Sequence, residues 1–218
     1  MNELHSLINS ISNKLEKSNE KNRYLLGICG PPGAGKSTLA EWIVAEWNRH
    51  HANEAIIVPM DGYHLSNEEL QLRKLLPLKG IPETFDAVSF IDKLSQLAQF
   101  PDKDHYCPRF ERSIEASIED AIRVSSAHKL VVVEGNYLLL ESSPWHKIKN
   151  ILSEIWYIDA EEKLLLPRLL LRHQSGGKSA EAASKKVNST DLPNAKLVDS
   201  CKSRASRILS ATNLQVGN

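Results

Sequence analysis

The chain has 218 residues, 41% of them hydrophobic and 25% charged, which suits one α/β domain with a sizeable core and is short for two. Lys plus Arg and Asp plus Glu each number 27, so the formal net charge is zero and the basic excess of a protein that grips nucleic acid through its phosphates is missing. Cys29, Cys107 and Cys201 lie far apart and in no metal-ligand spacing, the N-terminus lacks a signal-like apolar run, and no stretch reaches the ~20 apolar residues of a membrane span; the expectation is a cytoplasmic protein with reduced thiols and neither a membrane nor a nucleic-acid partner.

Leu4, Leu7, Ile8, Ile11 and Leu15 fall at helical spacing, so the chain opens on an amphipathic helix. The run Tyr24–Cys29 reads as a buried strand. Lys36–His50 reads as a helix with Leu39, Ile43, Val44 and Trp47 on one face. Ala55–Pro59 is a second buried strand, and helices are expected over 66–76 and 87–100. Leu130–Val133, followed by Glu134 and Gly135, is the most strand-like run. Ser143 and Pro144 suit the N-cap and first position of a helix. Ile155–Ile158 is a further strand, and Asp159 with Glu162 resembles a capping box opening a helix over 160–173, with Pro167 predicting a kink or a late start. The stretch 174–194 has few large apolar residues and is expected to be a mobile surface element. Short apolar strands alternating with helices predict a mostly parallel sheet covered on both faces.

Gly30-Pro31-Pro32-Gly33-Ala34-Gly35-Lys36-Ser37 fits G-x-x-x-x-G-K-[ST] in full, between a strand and a helix. A random chain of this length would match roughly once in a hundred times, before those flanks are considered. The glycines let backbone N–H groups turn inward on phosphate oxygens, and the helix N-terminus adds partial positive charge. Lys36 would reach the β and γ phosphates of a nucleotide and Ser37 would offer a hydroxyl to Mg²⁺. The nearest string to a GTPase Asn-Lys-x-Asp is Asn13-Lys-Leu-Glu16, on a helix and ending in Glu. Ser175-Gly-Gly177 faintly matches an ABC ATPase signature, but it follows the acidic strand instead of preceding it.

Ligands of parallel α/β sheets sit at the carboxyl ends of the strands. Asp61, just after the second strand, is there either a base that takes the proton of an attacking hydroxyl or an ordinary turn aspartate before Gly62. Glu134 is either a holder of Mg²⁺ or a solvated turn residue. Arg168 and Arg172, four apart on one helix face, either neutralise a transferring phosphoryl or decorate a surface. His173 reads as a lid-surface residue. Arg109 is either an anion holder or a sheet-edge charge.

Together these motifs resemble the uridine kinase, phosphoribulokinase and bacterial pantothenate kinase branch of P-loop kinases over most of the chain. Gly30 to Thr38 resembles its P-loop. Met60-Asp61-Gly62-Tyr63-His64 resembles the segment whose aspartate is the catalytic base, and Gly80-Ile-Pro-Glu83-Thr-Phe85-Asp86 an element near the acceptor. Val133 to Leu140, Pro144-Trp145, Arg168 to His173 and Asp191-Leu-Pro193-Asn194-Ala195 are similar to a nucleoside/nucleotide-kinase-like subgroup, also labelled fructose-transport kinases. Where that subgroup reads Pro-x-(Phe/Tyr)-Asp-Arg, this chain has Pro108-Arg109-Phe110-Glu111-Arg112, which would alter specificity if Glu111 touched substrate.

The resemblance implies a single three-layer α/β P-loop NTPase domain over 1–218, with a mobile helical lid at about 164–194. It implies ATP bound by Gly30 to Thr38, Mg²⁺ on Ser37 and Glu134, and catalysis by Asp61, Lys36, Arg168 and Arg172. Asp61, Tyr63, His64, Glu83, Asp86, Tyr106 and Arg109 are the candidates to meet a small hydroxylic acceptor. The acceptor would be a sugar, a nucleoside or a pantothenate-like alcohol. The other reading is a nucleotide-binding regulatory NTPase, which has no need of a base beside the γ-phosphate. The oligomeric state stays open between monomer and homodimer.

Overall fold

A computed structural model describes residues 3–17 and 22–214. In chain order its main elements are α1 (Glu3–Lys17), β1 (Tyr24–Cys29), α2 (Lys36–His50), β2 (Ala55–Pro59), α3 (Asn67–Leu72), α4 (Ala87–Gln99), β3 (His105–Glu111), β4 (Ala116–Val124), β5 (Leu130–Gly135), β6 (Glu154–Asp159), α5 (Glu162–Ser175), α6 (Ala180–Lys186), α7 (Leu192–Asp199) and β7 (Arg207–Ser210). Five strands form one parallel sheet in the order β2-β5-β1-β6-β7, and β3 and β4 form a separate antiparallel hairpin.

Successive residues of a strand point to opposite faces, so each apolar run supplies two cores. Leu25, Val131, Val133, Ile155 and Tyr157 meet Phe90, Ile91, Leu94 and Leu97 of α4 on one face. Leu26, Ile28, Leu130, Val132, Trp156 and Ile158 meet α1, α2 and α5 on the other, through Leu7, Ile11, Leu39, Ile43, Leu165 and Leu169. That double burial is why β1 is apolar throughout and β5 is apolar up to Glu134, and it makes three layers.

Four strands and the helices α1, α2, α3 and α4 fall where the sequence places them. The region 66–76 is shorter than expected: α3 ends at Leu72, after Ser66 caps the Glu69 amide at 3.1 Å. The capping box at Asp159 does not form. Asp159 stays in β6 facing Lys202, and the N-cap of α5 is Glu161, with no side-chain bond. Ser143 does not cap either; the 3-10 turn Trp145–Asn150 starts behind Pro144. Pro167 lies inside α5. The polar stretch 174–194 carries α6 and a π-helical turn, Val187–Asp191, and buries Ala183, Val187 and Thr190. Among the described residues no helix is long and apolar enough to cross a membrane.

Candidate active site

The strand register assembles the site. Glu134 of β5 stands level with Ile28 of β1 on one side and Pro59 of β2 on the other. Two residues beyond Ile28 the glycine-rich loop starts at Gly30, and two residues beyond Pro59 comes Asp61. Adjacent parallel strands ending together therefore deliver Asp61, Glu134 and the loop to one place.

The loop turns into α2 through left-handed residues, Gly33 at φ 81° and Gly35 at φ 98°, a region costly for any side chain with a Cβ. Lys36 is buried, and its Nζ donates to the Pro31 carbonyl at 3.0 Å. Burial pushes the Lys36 ammonium below its usual range, opposed by the nearby carboxylates of Glu134 and Asp61. The Ser37 hydroxyl donates to Glu134 Oε2 at 3.3 Å. Burial, reinforced by the Asp61 charge and opposed by Lys36, pushes the Glu134 carboxyl up to about 7.

β2 runs into one 3-10 turn, Met60–Tyr63, with Met60 buried beneath it. His64 closes that turn: its Nδ1 lies 2.8 Å from the Asp61 carbonyl, which can only accept, so Nδ1 carries the proton. The ring is wedged between Phe85 and Phe110, with centroids at 4.0 and 4.9 Å.

Facing the loop is a cavity of about 310 Å³. Lys36, Ser37 and Thr38 line it together with Arg112, Arg168 and Arg172, and with Ala211 and Leu214. Arg168 Nη1 also donates to the Gly33 carbonyl at 3.1 Å. A hollow of about 460 Å³ lies elsewhere and one of about 500 Å³ touches the loop at Pro31, but the three arginines beside Lys36 are here.

The acceptor candidates separate. The Asp61 charge acts on Lys36 of the glycine-rich turn, and His64 is bonded to the Asp61 carbonyl. Tyr63 turns into the core against Phe90, at 4.9 Å. Asp86 caps α4, accepting from the Ser89 amide at 3.0 Å and its hydroxyl at 2.7 Å. Glu83 lines the 460 Å³ hollow, and its charge, with those of Asp61 and Asp191, bears on Tyr137. Tyr106 and Arg109 are exposed on β3. Glu111 folds back on its own turn, accepting from the Ser113 amide and hydroxyl at 3.2 and 2.9 Å. His173 is not a free surface residue: it pairs with Asp191 at 2.6 Å, both side chains largely covered. The sequence reading quoted Arg112 as the end of the Pro108-to-Arg112 string but gave it no role, because nothing in it marked the hairpin that carries it.

Among the described residues no three carboxylate, imidazole or thiol groups cluster as a metal cage. The Ser37–Glu134 oxygen pair does fit Mg²⁺, which keeps several waters and takes one or two protein oxygens beside substrate phosphates.

A model of the KAP family P-loop domain matches residues 5–100. A Schizosaccharomyces pombe protein named "Putative uridine kinase C227.14" is 32% identical over 192 residues, covering 85% of this chain and 82% of its own. YggC of Escherichia coli is 34% identical over 185 residues, covering 84% and 76%. The crystal structure of a "putative fructose transport system kinase" from Silicibacter sp. TM1040 superposes with a TM-score of 0.86 at 30% identity, covering 94% and 98%. This depth of likeness over nearly the whole chain, on a parallel sheet with the glycine-rich loop at its centre, means that the protein belongs to the P-loop kinases of the uridine kinase type and is a phosphotransferase.

Proposed function

We propose that the protein transfers the γ-phosphoryl of ATP to a hydroxyl of a small metabolite. The observation that carries this reading is the placement of Asp61 beside Glu134, Lys36 and the glycine-rich loop, at three adjacent strand ends.

In this scheme the loop amides and Lys36 hold the β and γ phosphates. Ser37 and Glu134 hold Mg²⁺, which when bound offsets phosphate charge. Asp61 accepts the proton of the acceptor hydroxyl as its oxygen bonds to the γ-phosphorus. The bond from that phosphorus to the β–γ bridging oxygen breaks, and ADP leaves with the electron pair. Arg168 and Arg172 neutralise the charge passing through the phosphoryl. The His64 bond to the Asp61 carbonyl fixes the turn that aims the carboxylate. The segment 164–194 acts as a lid that excludes water, so that ATP is not simply hydrolysed.

The acceptor is a small polar alcohol: a sugar, a nucleoside or a pantothenate-like compound. A panel of such acceptors with ATP and Mg²⁺, read as ADP release, tests the assignment. One acceptor should raise ADP release well above the background. A flat panel with steady hydrolysis would point instead to a regulatory NTPase.

A further inference from the structure

Resting on that reading of the cavity, we infer that Arg112 is a third phosphate-facing arginine, and that it grips the γ-phosphoryl from the acceptor side. Arg168 and Arg172 both come from α5. Arg112 comes from the other direction, at the turn 112–115 that joins β3 to β4, and lines the same cavity as Lys36, Ser37 and Thr38. Its charge reaches as far as the Glu134 carboxyl.

The hairpin is built to hold it there. Gly62, next to Asp61, leaves no space between its Cα and the Pro108 carbonyl of β3: a Cβ would lie 2.3 Å from that oxygen. Phe110, two residues before Arg112, packs on His64. Lys79 holds the far end of the turn, donating to the Glu115 carbonyl at 3.0 Å, and lies over the Phe110 ring. Glu111, the nearest carboxylate in sequence, is engaged by Ser113. Among the described residues Arg112 forms no ion pair, so its guanidinium donors are uncommitted.

Charge gives the ligand class. Lys36, Arg112, Arg168 and Arg172 line the cavity, and the two carboxylates whose charges reach Lys36 are Asp61 and Glu134. Four cations against two anions leave the cavity positive, and like charges crowded together repel unless an anion lies between them. A magnesium-bound nucleoside triphosphate supplies that anion. A guanidinium mounted on the Asp61 side meets its last phosphate, the one absent from a diphosphate.

The test needs no acceptor. Affinities for Mg²⁺–ADP and for its non-hydrolysable triphosphate analogue AMP-PNP are measured calorimetrically on wild type, Arg112→Met, Arg112→Lys and, as a hairpin control, Arg123→Ala, whose residue pairs with Asp104. Loss of one charge-assisted contact should weaken AMP-PNP about tenfold to a hundredfold in Arg112→Met, with ADP moved less than about twofold. Arg112→Lys should recover part of the loss, and Arg123→Ala should show none. Unchanged AMP-PNP affinity in Arg112→Met, or equal weakening of both nucleotides, overturns the γ-phosphoryl assignment. Wild type that binds neither nucleotide sinks the reading of the cavity itself, a different failure.

Discussion

Gly62 and His64 hold the proposed base in place by two means, steric fit and a partly buried neutral ring. At Gly62 the obstacle to a side chain is a backbone carbonyl that cannot rotate away. Gly62→Ala should therefore cost about 1–3 kcal/mol, the range for overpacking a filled site, and should loosen the β3–β4 hairpin. Urea unfolding with limited proteolysis checks both, and wild-type stability would show that the two segments can part freely. Burial lowers the pKa of His64 below the ordinary 6.5, with Lys79 and Arg172 acting the same way and Asp61 opposing. The unfolded ring takes up a proton near pH 6.5 and the folded ring does not. The stabilisation is thus whole above pH 6.5 and lost as pH falls below it towards the folded value. The stability difference between wild type and His64→Gln should shrink between about pH 7.5 and pH 5.5; a difference flat with pH contradicts the partly buried neutral ring.

At the scale of elements, the proposed lid segment and the loop preceding α4 are tied together. Lys186, at the end of α6, donates to the Pro77 and Lys79 carbonyls at 3.1 and 2.9 Å. Asn194 of α7 donates to the Gly80 carbonyl at 3.0 Å, and Tyr137 donates to the same oxygen. Replacing Lys186 by Met removes two contacts while keeping most of the stem. Amide exchange over 76–84 should rise about tenfold or more, with β1 and β5 unchanged; exchange that stays put would mean the loop holds itself. Which elements were legible in the sequence follows from burial. β1, β2, β5 and β6 were readable because a parallel strand covered on both faces shows as an apolar run. β3 and β4 were not, because β4 is mostly exposed and alternates weakly. β7 is four residues long with only Leu209 buried, too short to register against its surroundings. The capping box at Asp159 misled because a local pattern cannot tell that the chain is still paired to β7 at that residue.

At the scale of the molecule, one sheet with a core on each face leaves its strand ends free, and the side chains proposed to react collect there. Residues in the glycine-rich loop, at a strand end or just past one, such as Lys36, Ser37, Glu134 and Asp61, were visible as candidates because chain position alone fixes them. Arg112 reaches the same cavity only through the fold of the β3–β4 hairpin, so the string that contains it showed the residue but not its place. The proposed reaction depends on the carboxylate after β2 facing the terminal phosphate with an alcohol between them. The most direct measurement compares Asp61→Asn with wild type, in nucleotide affinity and in turnover on the acceptor that the panel identifies. The account predicts that AMP-PNP affinity stays within about twofold while turnover falls by roughly 10² or more, the range of a general base. Near-normal turnover in Asp61→Asn would contradict it.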